Sequence, residues 1–306
     1  MWYVLLNPNA GSGNAEDLWL PQQKELEARG FAFQRVDVPD EKSVPGQVSE
    51  WTAKGARKWI AIGGDGTFHH LVNGIMNQEV CAPEEITCAF WSAGTGNDWR
   101  RQYQLPSQAE AWREMFIRQQ IIQQDVGLIE AIDLEGNATR RYFLNVAGLG
   151  YDAFVVKYLD EHEVNSGGGF KYFSSIFRCL ANYTPGSLRI ITPDQEWEDS
   201  FYTLNAGICR YNGGGMRFVP RANPQDGQLE LTMLPKVPAW RVAMNVPWAY
   251  TPFFDRHHLV RHARSSWVRY EHTGEQPVLI EADGELIGTT PARISVVPGA
   301  LRFVGK

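Results

Sequence analysis

Residues 59–67 read Trp-Ile-Ala-Ile-Gly-Gly-Asp-Gly-Thr, an apolar run that ends in a cluster of glycines. The run predicts a short buried strand over Trp59–Ile62, and the apolar spacing after it predicts a helix over Thr67–Met76. Glycines at a strand-to-helix turn let the main chain approach phosphate, whereas the Asp65 carboxylate repels phosphate unless a divalent cation lies between them. The stretch therefore predicts a Mg²⁺–nucleotide site, with a capped tight turn as the alternative.

The same alternation of strand and helix runs through the N-terminal part of the chain. We predict strands at Trp2–Leu6, Phe31–Val38 and Ile86–Trp91, and helices at Glu16–Arg29 and Val44–Lys54. Strands that alternate with helices form a parallel sheet through right-handed crossovers, and ligands bind at the carboxyl ends of its strands. This part is therefore predicted to be a three-layer α/β domain.

Two further polar loops follow strands of this predicted sheet. The first is Asn7-Pro8-Asn9-Ala10-Gly11, and the second is Gly94-Thr95-Gly96-Asn97-Asp98, with Arg100 and Arg101 behind it. The helix after such a loop offers free N–H groups and a positive dipole end to an anion, and an arginine can bind phosphate through two hydrogen bonds. Each loop by itself also fits a plain turn or a helix N-cap. Three of them at one sheet edge are a more specific indication of a phosphate site.

After about residue 125 the pattern changes to strands that are separated mostly by turns, with helical insertions at Ala153–Glu163 and Phe170–Asn182. The predicted strands are Asp125–Leu134, Thr139–Ala147, Ser187–Thr192, Phe201–Ile208, Gln228–Leu234, Ser266–Glu271, Val278–Ala282 and Ala292–Val297. We interpret residues 1–127 as the α/β domain and residues 128–306 as a mainly antiparallel β-sandwich or barrel domain. The prediction leaves open whether the last strands pack back on the first domain.

The composition is that of an ordinary globular protein of 306 residues, with 43% hydrophobic residues and a formal net charge of −6. It excludes disorder, and no apolar run approaches the roughly 18 residues that a membrane span needs. The acidic balance argues against a nucleic-acid binder. The N-terminus has no basic segment, so no signal peptide is expected. The four cysteines form no CxxC pair and predict reduced thiols in a cytoplasmic protein.

Several common sites are absent from the sequence. It has no P-loop, no GxSxG nucleophile elbow and no protein-kinase HRD or DFG motif. Residues 148–153 match GxGxxA, but no second parallel strand with an acidic end follows them, so we interpret the match as accidental. The adjacent histidine pairs His69-His70 and His257-His258 diverge on a helix or a strand and are poor zinc candidates.

The ordered set of loops resembles the diacylglycerol kinase catalytic family, and in particular the bacterial soluble lipid kinases. Sphingosine and ceramide kinases share this domain, and NAD kinases and phosphofructokinases carry a similar GGDG turn. The motifs that carry the resemblance are Asn7–Gly11, Gly63–Thr67, Gly94–Arg101, Asp125-Val126-Gly127, Asn145–Asp152, Asp226-Gly227 and Asp283-Gly284-Glu285. They extend in order through nearly the whole chain.

The resemblance implies that ATP binds in a cleft between two domains. It also implies a catalytic base at Glu285 with Asp283 beside it, and a water network around Mg²⁺ held by Asp65, Asp98 and Asp125. A structural Mg²⁺ is implied at Asp226 with the backbone carbonyls of Asn223 and Gln228. The residues implied to bind the nucleotide are Asn7, Pro8, Asn9, Ala10, Gly11, Gly63, Gly64, Asp65, Gly66, Thr67, Thr95, Asn97 and Arg101.

An aromatic block at Pro247–Phe254 precedes a basic block that runs from Arg256 to Arg269. Such a pair of blocks is able to dock on an anionic membrane surface, with the aromatic side chains at the interface. The alternative is a set of core aromatics followed by solvated arginines. Tyr172, Phe173, Ile176 and Phe177 have helical spacing and belong either to the core or to an acyl-chain pocket.

These observations predict an ATP- and Mg²⁺-dependent lipid kinase that transfers the γ-phosphate to a hydroxyl of a lipid such as diacylglycerol. Phosphoryl transfer of this kind needs positioned phosphates, charge neutralisation and an oriented hydroxyl. We expect a cytoplasmic protein that is peripheral to the membrane, with a transient membrane contact, no nucleic-acid partner, and a homodimer left open. The alternatives are a non-catalytic nucleotide- or lipid-binding protein of the same fold, and a kinase of a soluble alcohol or of NAD.

Overall fold

The computed structural model describes residues 1–7, 13, 15–38, 40–93, 96–162 and 178–306. The chain divides into two units, of which the first contains Met1–Val126 and Pro298–Lys306 and the second contains Gly127–Val297. Some predicted features lie outside the described residues. These are Pro8, Asn9, Ala10, Gly11, Thr95, and the greater part of the helix predicted at Phe170–Asn182.

The first unit is an α/β domain built on a parallel sheet. Its elements are β1 (Trp2–Leu6), α1 (Ala15–Ala28), β2 (Phe33–Val36), α2 (Val44–Ala53), β3 (Lys58–Gly63), α3 (Asp65–Asn77), β4 (Thr87–Ser92), α4 (Asp98–Gln102) and α5 (Ala109–Arg118). The strands have the order β2-β1-β3-β4, and every neighbouring pair is parallel. The carboxyl ends of β1, β3 and β4 therefore lie along one edge, where the three polar loops begin.

Helices cover both faces of this parallel sheet. Successive side chains of a strand point to opposite faces. In β1 the ring of Trp2 lies 4.9 Å from that of Phe116 in α5, whereas the ring of Tyr3 lies 5.5 Å from that of Trp51 in α2. The helices pack in pairs, α1 with α5 and α2 with α3. The predicted three-layer α/β arrangement is confirmed.

The C-terminal residues of the chain complete the first unit. The last strand, β14 (Glu285–Val304), pairs in parallel with β4 through Arg302 and Phe303. The Phe303 ring is buried against Trp99, with 4.7 Å between the ring centroids. A fifth parallel strand therefore comes from the far end of the sequence.

The second unit is mainly antiparallel β-structure. Its elements are β5 (Ile121–Ile132, which begins in the first unit), β6 (Ala138–Phe143), β7 (Val146–Gly150), α6 (Tyr151–Glu161), β8 (Gly186–Ile191), β9 (Glu196–Gly207), β10 (Leu229–Pro235), α7 (Ala239–Asn245), β11 (Arg261–Ser265), β12 (Trp267–His272) and β13 (Leu279–Ala282), together with most of β14. Antiparallel pairing runs from β8 through β9, β7, β13, β14 and β12 and returns to β8. The circuit closes a barrel, so the predicted β-sandwich or barrel is confirmed.

Three features of the second unit differ from the sequence prediction. The strand predicted at Thr139–Ala147 is two strands, because the backbone N–H groups of Leu144 and Asn145 donate to the Asp283 carboxylate instead of continuing a ladder. The strand predicted at Ala292–Val297 is one part of the longer β14. Neither β11 nor α7 was predicted; α7 buries none of its residues, and β11 buries only Ser265, so neither has an apolar periodicity. In the first unit α5 was also missed, although Trp112, Met115 and Phe116 have helical spacing.

Candidate functional site

The glycine turn after β3 is closed by the side chain of Thr67. A Cβ atom on Gly63 would lie 2.3 Å from Thr67 Oγ1, so only glycine fits at the end of this strand. The helix α3 begins at Asp65, two residues before its predicted start, so Gly66 and Thr67 belong to its first turn. The turn therefore presents the N-terminus of a buried helix at the edge of the sheet.

Thr67 also joins the turn to the end of β1. Its hydroxyl donates to Glu41 Oε1 at 2.8 Å, and Asn7 Nδ2 donates to the same carboxylate at 2.7 Å and to Thr67 Oγ1 at 3.2 Å. The backbone N–H of Asn7 donates to Ile62 O at 3.0 Å. Two predicted site residues, Asn7 and Thr67, are thus brought together by Glu41. No motif in the sequence includes Glu41, which lies in a short turn between β2 and α2.

Asp65 connects the turn after β3 to the loop after β4. Its Oδ2 accepts a hydrogen bond from the backbone N–H of Asp98 at 3.0 Å, and its Oδ1 accepts one from Trp99 at 3.4 Å. A Cβ atom on Gly96 would lie 3.0 Å from the same carboxylate. Asp65 therefore acts as a capping group for α4, whose first N–H groups have no partner within the helix.

The loop before α4 is held by its own side chains. Asn97 has a left-handed backbone with φ of 55°, and its side chain pairs with Ser92. Asp98 is buried and forms an ion pair with Arg101, whose guanidinium also donates to Gly96 O at 3.3 Å. A partly exposed arginine is thus paired with one of the predicted Mg²⁺-associated carboxylates.

The third predicted carboxylate of the Mg²⁺ network is anchored elsewhere in the first unit. Asp125 is 3% exposed, and its Oδ1 accepts a hydrogen bond from the backbone N–H of Gly299 at 2.8 Å. Within the described residues, no group of three or more His, Cys, Asp or Glu side chains is close enough to hold a metal ion directly. Each carboxylate oxygen has a second lone pair, so the donor set of Asp65 and Asp98 still fits a cation that is held through waters.

The structural Mg²⁺ expected at Asp226 meets a competing charge. Asp226 Oδ1 accepts the backbone N–H of Gln228 at 3.1 Å, and its Oδ2 forms an ion pair with Arg264. The guanidinium supplies at this carboxylate the positive charge that a metal ion would bring. The ligand set Asp226, Asn223 and Gln228 stays a prediction.

The Asp-Gly-Glu turn divides into an anchoring and an accessible carboxylate. Asp283 has φ of 52°, and its side chain accepts hydrogen bonds from the backbone N–H groups of Leu144, Asn145 and Val146 at 2.7, 2.9 and 3.4 Å. Its own N–H donates to Val146 O. Glu285 is the first residue of β14 and is partly exposed. Asp283 therefore fixes the turn through hydrogen bonds, and the catalytic-base assignment of Glu285 stays a prediction.

An acidic pair that the sequence did not reveal lies beside this turn, and its members are the buried Glu281 and the partly exposed Asp152. Glu281 in β13 is 1% exposed, and its Oε2 accepts the backbone N–H of Gly284 at 3.0 Å. Its other oxygen lies 2.4 Å from where a Cβ atom on Gly148 would stand, so the glycine makes room for the carboxyl group. Asp152 accepts a hydrogen bond from Thr203 Oγ1 at 2.7 Å. The only available signal was one acid within the apolar run Val278–Ala282.

Burial decides the protonation of this pair. It raises the pKa of Glu281 well above its usual range, and the neighbouring negative charge of Asp152 raises it further. Burial raises the pKa of Asp152 to about 6, against a lowering by the Thr203 and Asn205 side chains. Glu281 therefore keeps its proton to a higher pH than an ordinary glutamate, and it lies two residues before Asp283 in the chain.

Comparison with known proteins identifies the family. A model of the diacylglycerol kinase catalytic domain matches residues 1–129, and a model described as the YegS C-terminal NAD kinase beta sandwich-like domain matches residues 145–305, which is more than half of the chain. The chain belongs to the diacylglycerol kinase catalytic-domain family, in its YegS type. The first match contains the three glycine loops and Asp125, and the second contains the acidic pair and the Asp-Gly-Glu turn.

Relatives of the same length carry this family's names. YtlR of Bacillus subtilis (strain 168) is 27% identical over 320 residues, which cover 99% of this chain and 98% of that protein. A protein named diacylglycerol kinase, from Mycobacterium tuberculosis (strain ATCC 25618 / H37Rv), is 26% identical over 311 residues, with 98% and 94% coverage. A solved chain from Bacillus anthracis str. Sterne has a TM-score of 0.79 at 21% identity, covers 100% of this chain and 97% of its own, and shows the fold. The protein is accordingly a kinase of the diacylglycerol kinase family.

No helix among the described residues of this kinase is both long and apolar enough to cross a membrane.

Proposed function

We propose that this kinase transfers the γ-phosphate of ATP, in the presence of Mg²⁺, to a hydroxyl group of a lipid alcohol of the diacylglycerol kind. The observation that carries the proposal is the hydrogen-bonded junction of three motif loops at one edge of the parallel sheet. Asn7 after β1, Thr67 after β3 and Asp98 after β4 are joined through Glu41 and Asp65. Ligands of open α/β sheets bind at this edge.

The groups at this edge of the sheet suit a nucleoside triphosphate. Helix α3 begins there, and the N-terminus of a helix attracts phosphate through free N–H groups and the macrodipole. Arg101 is partly exposed at the same loop and is able to bind a phosphate oxygen. A divalent cation, when bound, neutralises the charge between the phosphates and the carboxylates. Asp65 and Asp98 are the residues that we expect to hold it through waters.

The acceptor chemistry requires a base for the alcohol proton. We assign this role to Glu285, which is partly exposed, since the other carboxylate of the turn, Asp283, is engaged by three backbone N–H groups. Asp283 holds the turn by accepting three backbone N–H groups and is a positioning residue in this scheme. A base of this kind takes the hydroxyl proton as the oxygen attacks the γ-phosphorus, and ADP leaves.

The lipid acceptor is proposed from the relatives. The Mycobacterium tuberculosis relative is named a diacylglycerol kinase, and it aligns over nearly the full length of both chains. A kinase with this acceptor has to reach a bilayer, so we place it in the cytoplasm as a peripheral membrane protein. A kinase of a soluble alcohol or of NAD and a non-catalytic nucleotide-binding protein are the competing outcomes.

The test is a substrate panel with γ-labelled ATP and Mg²⁺. We expect label in the organic phase with diacylglycerol in mixed micelles, and none with NAD or glycerol. The Glu285→Gln variant should lose turnover while keeping its affinity for Mg²⁺·ATP in calorimetry, and Glu275→Gln, an exposed acid upstream, should behave as the wild type. Transfer of label to NAD or glycerol, or absence of Mg²⁺·ATP binding, would overturn the proposal.

A further inference from the structure

The helix α7 and the turns after it expose large apolar side chains. None of the residues of α7 is buried, and its Trp240 and Met244 are 60% and 70% exposed. The two positions are four residues apart and so lie on one face of the helix. Trp248, Tyr250 and Phe253 follow at 42%, 45% and 48% exposure. We call these five side chains the apolar surface.

The segment that carries the apolar surface is itself fixed in place. Ala249 and Phe254, which alternate with the exposed aromatics, are buried against Met216. The backbone N–H of Arg217 donates to Ala249 O at 2.5 Å, and the buried Asp255 forms an ion pair with Arg221. The exposure therefore results from how the segment is anchored. Ala249 and Phe254 are held in the core, and the rings next to them in the sequence are left exposed.

No comparable surface exists elsewhere in the described part of the chain. Every aromatic side chain that is classed there as exposed lies between Trp240 and Phe253. Scattered single apolar residues are normal on a protein surface, whereas a contiguous group indicates an interaction site. The predicted core role of the aromatic block thus holds for Phe254 but is wrong for Trp248, Tyr250 and Phe253.

The segment that carries the apolar surface has a charge opposite in sign to that of the whole chain, although Arg261 and Arg264 at its end are paired with Asp199 and Asp226. Residues 236–264 contain five Lys or Arg and one Asp, although the formal net charge of the protein is −6. The guanidinium groups of Arg241 and Arg256 lie 5.7 and 5.2 Å from the ring centroids of Trp240 and Phe253. Basic and aromatic side chains are interleaved here, as in segments that lie at the interface of an anionic bilayer.

We infer that the apolar surface docks on an anionic lipid bilayer, with its aromatic rings at the headgroup level and Arg241 and Arg256 against acidic headgroups. An anionic membrane matches both the exposed aromatic rings and the basic side chains, since aromatic rings favour the headgroup region and arginines complement its charge. In a symmetric dimer the apolar surfaces of two copies would face each other and bring their flanking basic side chains together, which is electrostatically unfavourable. The choice of a lipid partner rests on the proposed function.

The test is co-sedimentation of the full-length protein with sucrose-loaded vesicles, without nucleotide. We expect binding to vesicles of phosphatidylcholine with 30 mol% phosphatidylglycerol. Binding to pure phosphatidylcholine should be at least tenfold weaker, because the attraction between the basic side chains and the acidic headgroups is then lost. The Trp240→Ser/Phe253→Ser variant should bind the anionic vesicles at least tenfold more weakly. Leu134→Ser, which removes a 58%-exposed leucine from the turn between β5 and β6, is the matched control and should bind as the wild type.

Two charge reversals, Arg241→Glu and Arg256→Glu, separate the electrostatic from the apolar contribution. They should weaken binding to the anionic vesicles and leave binding to neutral ones unchanged. Wild-type protein that fails to sediment with either vesicle, or a serine variant that binds as well as the wild type, overturns the inference. So does a concentration-dependent dimer in light scattering that the serine variant abolishes without vesicle binding, because the surface is then an interface between copies.

A failure of docking can be told from a failure of the proposed function. Phosphorylation of a short-chain diacylglycerol dispersed as monomers does not require a surface. If the serine variant keeps wild-type turnover on this substrate and loses it on vesicles, both ideas stand. If the wild type binds vesicles but phosphorylates no lipid in either form, the docking inference stands and the proposed acceptor is wrong. If the wild type phosphorylates the monomeric substrate but does not bind vesicles, the proposed function stands and the docking inference is wrong.

Discussion

The carboxylate of Asp65 accepts a hydrogen bond from the backbone N–H of Asp98, 33 residues further along the chain, at 3.0 Å. The turn after β3 and the helix after β4 are therefore one structural unit. A single side chain has two tasks here, since it caps a helix and places a negative charge at the sheet edge where we propose that the nucleotide binds. These two tasks can be separated by substitution.

Replacing Asp65 by alanine should destabilise the protein by about 1–2 kcal/mol, because the N–H groups of Asp98 and Trp99 lose their cap. Asp65→Asn retains an oxygen that is able to accept one N–H, so it should lose under about 1 kcal/mol. Both variants should lose affinity for Mg²⁺·ATP, since both lack the charge. Urea unfolding and calorimetry measure the two effects, with Asp17→Asn in α1 as an exposed control. Unchanged Mg²⁺·ATP affinity in Asp65→Asn would contradict the assigned role.

Asp283 and Glu285 should differ sharply in their effect on stability. Asp283→Asn replaces one of the two acceptor oxygens by an NH2 group, which donates, so at least one of the three backbone N–H groups loses its acceptor, and we expect a loss of about 2–3 kcal/mol in the free energy of unfolding. Glu285→Gln lies on a partly exposed strand end and should change that free energy by no more than about 0.5 kcal/mol. Chemical denaturation of both variants under one condition checks the contrast. Equal losses would show that Asp283 does not anchor the turn.

Gly148 is expected to tolerate no side chain. Its Cβ atom would lie 2.4 Å from Glu281 Oε1 and 3.0 Å from Asp152 Cβ, so Gly148→Ala should cost about 1–3 kcal/mol. The matched control is Gly46→Ala in α2, where a Cβ atom meets nothing within 4 Å and alanine should stabilise the helix by about 0.5–1 kcal/mol. Thermal unfolding distinguishes the opposite signs. A combined Gly148→Ala/Glu281→Ala variant should lose less stability than the sum of the single changes, because the clash is removed.

The acidic pair predicts that stability falls as the pH rises through neutrality. The pKa of Asp152 is raised to about 6 and that of Glu281 is raised further from its usual range, so the folded state binds more protons than the unfolded state. The contribution of Asp152 is fully present below its unfolded pKa, near 4, and is lost by about pH 6, whereas that of Glu281 is lost over a range that extends to higher pH. Urea unfolding at pH 5.5, 7 and 8.5 measures this slope.

Glu281→Gln removes the titrating carboxyl group of Glu281 and should therefore flatten the pH dependence of the unfolding free energy above pH 6. The glutamine oxygen is still able to accept the N–H of Gly284, so the fold should persist. Glu275→Gln, an exposed acid, should leave the slope as it is in the wild type. A slope that is identical in Glu281→Gln and in the wild type would mean that Glu281 is not the protonated group.

Local patterns in the sequence were sufficient for strands β1–β4 and helices α1–α3 of the α/β domain. The apolar run Trp59–Ile62 and the spacing from Phe68 to Ile75 gave strand and helix to within two residues, because burial on a sheet and on one helix face imposes those periods. The split between β6 and β7 could not be predicted in this way. It depends on a carboxylate, Asp283, that lies 139 residues from Leu144.

What the sequence by itself determined is the set of loops and their order: glycines and acids after apolar runs already indicate a phosphate site, since backbone conformation and charge are local properties. Only the tertiary structure decided what each acid does. It assigned Asp65 to a helix cap, Asp283 to three backbone amides and Glu281 to a buried site that raises its pKa. The physical reason is that hydrogen-bond partners and desolvation depend on which distant strands are neighbours, and no short stretch of sequence contains that information.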